Sequence, residues 1–297
     1  YDFYRMDLKS NNVGESDENI EELLNKYFQI ILAGPPGTSK SHAAKSIANK
    51  HPEENTETIQ FHPSYTYKDF IGGYVVNGKE VIWEEGVFTK LIEKASSNSE
   101  KDYILIIEEF NRANVSQVFG ETIQCLDRDF SVQINKGNKT NKFKIPTNLK
   151  IICTMNTCDR SIGIVDFAIK RRFVSINMKP NEKLLDKEVD TEHNIILSKL
   201  LKKINMNLRN NLNSETLLIG HALFFNQSFF KIESKKYIYT KEEFEKLFNY
   251  KIIPLIEDYS KGNSSQINSI LGDELSQKIT GNSFEDELKK FVDNENY

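Results

Sequence analysis

Residues 34–41 read GPPGTSKS, a lysine and a hydroxyl at the end of a Gly/Pro-rich run. A short apolar stretch, Ile30 to Ala33, precedes it and an alanine-rich pattern follows, so the context is strand, loop, helix. In that context a phosphate-binding loop has physical meaning. Its backbone N–H groups wrap a polyphosphate, and the helix behind them offers its positive end. Gly34, Pro35, Pro36, Gly37, Thr38 and Ser39 would form the cradle, with Lys40 on the β/γ-phosphates, Ser41 on Mg²⁺ and His42 in the first helical turn. The pattern asks for glycine directly before the lysine, and Ser39 stands there. Serine tolerates positive φ less well than glycine, so either the loop relaxes slightly or Ser39 takes an allowed conformation. The bland alternative is that GPPG only turns the chain into a helix.

Three further positions carry chemistry. Ile104 to Ile107 are four apolar residues in a row, the pattern of a buried parallel strand, and Glu108 and Glu109 follow at its C-terminal end. An open α/β sheet places its ligand there. One acid would hold a metal ion (Glu108) and the next would orient an attacking water (Glu109). Charged strand ends are common, so the pair gains meaning only in company. A second buried strand, Leu149 to Met155, ends in Asn156, whose amide can bond a γ-phosphate or the lytic water. Asp159, Arg160 and Asp166 come next, then Arg171-Arg172 before a strand at Phe173 to Met178. Arginines at a domain surface can reach a neighbour's nucleotide and stabilise transition-state charge. The alternative for them is a salt bridge within the chain.

These residues need a scaffold, and 297 residues suffice for one large domain or a core plus a smaller one. Residues 1–16 read as a linker or N-terminal extension, 17–178 as an α/β nucleotide-binding core, and 179–297 as a mostly helical second domain with a tail. Within the core, Ile20, Leu23, Leu24 and Phe28 share one side of a short amphipathic helix. Residues 61–95 are rich in aromatics that either pack over the sheet edge or face a partner or a ring pore. Residues 111–130 read as one helix with Val115, Val118, Phe119, Ile123 and Leu126 on its apolar side, and the Lys/Asn-rich run after it as a β-hairpin.

Composition narrows the partners. A net charge of −4 and a pI near 5.9 argue against nucleic-acid binding by bulk electrostatics. No apolar run is long enough for a membrane helix and no secretory signal opens the chain, so no membrane partner is expected. Three cysteines without CxxC spacing and sparse histidine favour a reducing cytoplasm over a disulfide framework or zinc site. A chain that opens on Tyr1 is expected to be a piece of something longer.

Taken together, the motifs resemble those of AAA+ NTPases, and more narrowly of the McrB family, the motor subunits of modification-dependent restriction systems. The residues that carry the resemblance are GPPGTSKS (34–41), FHPSYTYKDFIGGY (61–74), IIEEFNRAN (106–114), MNTCDRS (155–161), VDFAIKRRF (165–173), IGHALFF (219–225) and IIPLIEDY (252–259). The resemblance implies an AAA+ P-loop core with a five-stranded parallel sheet, followed by a mostly α-helical lid. It implies Mg²⁺-dependent GTP hydrolysis in a ring, typically hexameric, working with a McrC-like endonuclease subunit, with DNA read by an N-terminal domain outside this chain. By the same resemblance, Glu108 and Glu109 fill the Walker B positions and Asn156 is the first sensor. Asp159 and Arg160 complete the MNTxDR signature, and Arg171 or Arg172 acts in trans. No NKxD signature occurs in a suitable place, so guanine preference rests on the resemblance alone, with ATP the alternative. Two other readings share the motifs: an ATP-driven remodeller of protein complexes, and a nucleotide-gated scaffold with little hydrolysis.

Overall fold

A computed structural model describes residues 17–136, 139–158 and 165–293. Contacts divide the chain into two compact units. One holds the chain up to Gly34 and again Lys40–Met178; the other holds Pro35–Ser39 and everything from Lys179 on.

In chain order the first unit comprises α1 (Asp17–Tyr27), β1 (Gln29–Gly34), α2 (Lys40–Ala48), β2 (Thr56–Gln60), α3 (Tyr67–Phe70), β3 (Gly72–Asn77), β4 (Glu80–Glu85), α4 (Val87–Ser97), β5 (Tyr103–Glu108), α5 (Val115–Phe119), β6 (Val132–Lys136), β7 (Lys139–Phe143), β8 (Leu149–Asn156), α6 (Phe167–Lys170) and β9 (Val174–Asn177). Five strands form one parallel sheet in the order β2-β5-β8-β1-β9, the five-stranded parallel sheet that the resemblance implied. With every strand parallel, Gly34, Glu108 and Asn156 all fall at the same edge of the sheet.

Strand geometry sends alternate side chains to opposite faces, and the core follows that period. Ile30 and Leu32 join α1 and α2 in one cluster, through Ile20, Leu24, Ala43, Ala44 and Ile47. Ile31 and Ala33 join α4 and the aromatic segment in the other, through Phe61, Phe70, Phe88, Leu91 and Phe119. Phe70 and Phe88 stack with ring centroids 4.6 Å apart. The aromatic stretch is therefore mostly core. Phe61 and Phe70 are fully buried, Tyr65, Tyr67 and Trp83 pack against the cluster, and Tyr74 is half exposed.

Two expectations differ from the structure. Phe28 is not part of α1; it sits at φ 66°, just past the helix end, with the Arg128 guanidinium over its ring. Residues 111–130 are not one helix. Gly120, at φ 51° and ψ −135°, stops α5 after five residues, and a 3₁₀ turn over Gly120–Leu126 continues the apolar side. A Cβ at Gly120 would lie 2.9 Å from the Tyr67 ring, so the close approach itself calls for glycine. The aromatic segment also contains an antiparallel hairpin, β3–β4, which the sequence reading did not anticipate. The β6–β7 hairpin is present, with its tip at residues 137 and 138 outside the described residues.

The second unit is mostly helical: α7 (Lys183–Glu188), α8 (Leu197–Leu212), α9 (Lys241–Leu247), α10 (Ile253–Tyr259), α11 (Ser264–Leu271) and α12 (Gly281–Asp293). Leu197, Leu200, Leu201, Ile204 and Leu208 give α8 one apolar stripe, which is buried. A small sheet joins them, β10 (Val189–Thr191) with β11 (Phe230–Lys231) and β12 (Lys236–Tyr239). Among the described residues no helix is long and apolar enough to cross a membrane.

Candidate nucleotide site

In the first unit the site is built where β1, β8 and β5 end side by side. Gly34 pairs with Asn156 in register, and its carbonyl accepts from the Lys40 Nζ at 3.0 Å and from the Thr157 N–H at 3.1 Å. Lys40 is buried at the first turn of α2, while Ser41 and His42 are exposed beside it. Ala43 and Ala44, both buried, let this end of the helix lie close to the sheet. Lys45, one turn beyond Ser41 on the same helix face, lies 3.3 Å from the Glu108 carboxylate.

Glu109 is the strained residue of this edge, with φ 55° and ψ 45° just past β5. A non-glycine residue in the left-handed region costs about 1–2 kcal/mol, so its surroundings must hold it there. They do. The Asn156 amide donates to both Glu109 oxygens, at 3.1 and 3.2 Å, and Arg112 Nε donates to Oε2 at 3.0 Å. Asn111 Nδ2 in turn donates to the Asn156 carbonyl at 3.2 Å. The sequence reading brought Glu109 and Asn156 into one site; it assigned nothing to Asn111 or Arg112. A signal was available, because Arg112 is three residues from Glu109, within reach across one turn.

The two arginines part company. Arg172 Nε donates to Asp127 Oδ2 at 2.8 Å and Nη1 to the Ala168 carbonyl at 2.7 Å, with its side chain only 8% exposed. Its backbone carbonyl and that of Leu126 both accept from Gln29 Nε2 at the opposite end of β1 from Gly34, at 2.8 Å each. Arg128 donates two bonds to the Gln29 Oε1 from the other side. Arg171 is exposed at the end of α6. Asp166 caps that helix through the Ala168 N–H. Asp159 and Arg160 lie outside the described residues.

Pro35–Ser39 packs with the second unit. Gly37 has φ 74° and Thr38 Oγ1 donates to the Pro35 carbonyl at 2.9 Å, closing a tight loop. Ser39 takes a positive φ of 61°, the left-handed region that glycine adopts most readily. Its hydroxyl lies 3.0 Å from Nε2 of His221, a residue given no role in the sequence reading. The Ala222 N–H donates to the Gly37 carbonyl at 2.9 Å, and a Cβ on Gly220 would fall 2.1 Å from Gly37 backbone atoms. Only glycine at 220 permits that approach.

A phosphate loop ahead of a helix, with an acid pair and an asparagine at neighbouring strand ends, defines a P-loop nucleotide-binding protein. The AAA domain of the dynein-related subfamily matches residues 29–173, and the McrB α-helical lid domain matches residues 196–268. The chain is a McrB-like AAA+ protein. It is 33% identical over 247 residues to the type IV methyl-directed restriction enzyme EcoKMcrB subunit of Escherichia coli (strain K12), covering 76% of this chain and 53% of that one. It is 32% identical over 187 residues to the type II restriction enzyme BsuMI component YdiS of Bacillus subtilis (strain 168), covering 48% of this chain and 54% of that one. The chain thus spans about half the length of the curated relatives it matches.

Proposed function

We propose that this chain is the motor core of a restriction system: a Mg²⁺-dependent nucleoside triphosphatase that hydrolyses GTP in a ring, typically hexameric, and activates a McrC-like endonuclease subunit on foreign DNA. The observation that carries the hydrolytic reading is Glu109, held in a strained conformation by Asn156 and Arg112 at the sheet edge beside Gly34. A carboxylate fixed in that way is placed to orient a water. Residues 34–42 bind the phosphates, with Lys40 and the backbone N–H groups meeting their charge.

The residues fit a magnesium ion. Ser41 and Glu108 supply a hydroxyl and a carboxylate, the hard oxygen donors Mg²⁺ takes, and the Glu108 carboxylate contacts Lys45, one turn beyond Ser41 on α2. When bound, the ion supplies charge neutralisation on the phosphate oxygens. Arg171 is the residue proposed to act across a subunit interface. Arg172 is already committed to Asp127 and holds the segment in place. Asp159 and Arg160 are assigned to the same site on the motif alone.

The restriction context comes from the two relatives, both restriction-enzyme components by name. The test is steady-state hydrolysis of GTP and ATP with Mg²⁺, with and without a McrC-like subunit. GTP preference with partner stimulation is the expected result. ATP preference without a partner effect would assign the chain to a protein-remodelling ATPase, and tight binding without turnover in any state would make it a scaffold.

A further inference from the structure

Ser39 occupies the position where a phosphate loop needs glycine's freedom, yet adopts glycine's conformation, and the second unit supplies the contact that bears on that. The segment around His221 is pinned independently of the loop. The Asn205 side chain, buried on α8, exchanges two bonds with Ile219, donating to its carbonyl at 2.9 Å and accepting from its N–H at 2.8 Å. The Tyr259 hydroxyl donates to the Leu218 carbonyl at 3.2 Å and the Tyr239 hydroxyl to the Phe224 carbonyl at 2.9 Å. His221 itself is 3% exposed, with the Phe225 ring 5.8 Å away edge-on.

The hydrogen bonds assign the tautomer. The Asn181 N–H donates to Nδ1 of His221 at 3.0 Å, so that nitrogen carries no proton. The neutral ring then bears its hydrogen on Nε2 and donates to the Ser39 Oγ at 3.0 Å. The serine oxygen is thereby an acceptor, held against a ring that the Asn181 N–H fixes and whose flanking backbone four further bonds keep in place.

We propose that His221 is a positioning residue of the nucleotide site: through Ser39 it holds the phosphate loop in its left-handed, binding-competent shape. This rests on the reading that residues 34–42 bind nucleotide. The structure makes serine tolerable before Lys40 by coupling it to a histidine more than 180 residues away in sequence. Glycine at 39 would need no such support, since it adopts positive φ unaided.

The test is a double-mutant cycle read by titrating fluorescently labelled GDP and ADP into the whole chain. His221→Asn keeps an acceptor near Nδ1 for the Asn181 N–H but removes the bond to Ser39, so the fold is retained where His221→Ala can lose it. In the Ser39 background it should weaken binding roughly 3- to 10-fold, the worth of one hydrogen bond. In the Ser39→Gly background the same change should have no further effect. Equal weakening in both backgrounds would mean that His221 only supports the lid, and no weakening in either would mean that the contact is idle; both overturn the proposal. If the unmodified chain bound neither labelled nucleotide, the nucleotide reading itself would fall, and this inference with it.

Discussion

Glu109 and His221 show how one side chain's chemistry depends on what holds it. Replacing Glu109 with Gln keeps the Asn156 contact available and removes the carboxylate. Turnover should fall by about 100-fold or more while labelled-nucleotide affinity stays the same, as expected for loss of a water-orienting base. Normal turnover in that variant would remove Glu109 from the mechanism. His221 makes a pH prediction. Burial pushes its pKa down to about 4, below the ordinary imidazole value of 6.5. The unfolded chain therefore binds a proton more readily between those two values. The stability that neutral His221 contributes is complete above about pH 6.5 and is lost as pH falls toward 4, up to roughly 3 kcal/mol. Urea unfolding at a series of pH values should show this decline in the wild type and a smaller one in His221→Asn. Ser39, Glu108 and Glu109 could be picked out from spacing alone, because a phosphate loop and a strand-end acid pair have fixed local patterns. His221 could not, because its partner lies on a distant stretch of chain.

At the scale of elements, the sheet was largely readable. The apolar runs at 30–33 and 104–107 are uninterrupted, as strands buried on both faces must be, and 149–155 is broken only by Lys150 and Thr154. The pairing between Phe70 and Phe88 carries a sharp expectation. Phe88→Ala should destabilise the first unit by about 3–5 kcal/mol, since the cavity would open in a fully buried aromatic cluster. A chemical-denaturation midpoint within experimental error of wild type would mean the cluster repacks. The less readable parts have physical reasons. Gly120 breaks a continuous apolar period because the Tyr67 ring leaves no room for a side chain, and nothing nearby in the sequence announces that neighbour. The β3–β4 hairpin escaped notice because Val76 and Val81 are exposed, so its strands lack the clean alternation that a half-buried hairpin shows. The three-stranded sheet of the second unit is too short to leave a period at all.

For the whole molecule, the proposed assembly makes the arginines separable. Arg171→Ala and Glu109→Gln chains should each be nearly inactive alone. When mixed they should recover part of the activity, because some interfaces then combine an intact Arg171 with an intact Glu109. No recovery on mixing would place Arg171 in its own subunit's chemistry or outside it. Arg172→Ala should behave differently: it removes a largely buried guanidinium from its partly exposed partner Asp127 and from the Ala168 carbonyl, so a stability loss of about 1–3 kcal/mol should accompany any loss of activity. Gln29 gives this contrast a mechanical side. At 3.3 Å per residue, β1 spans about 20 Å, with the phosphate loop at one end and the Gln29 grip on the Arg172 carbonyl at the other. The residue next to Arg171 is thus bolted to a central strand of the sheet rather than carried on a free loop. Whatever dimensional tolerance such an arginine has in meeting a neighbour's nucleotide is that of the sheet, and errors in placement would be shared by every subunit alike rather than averaged away.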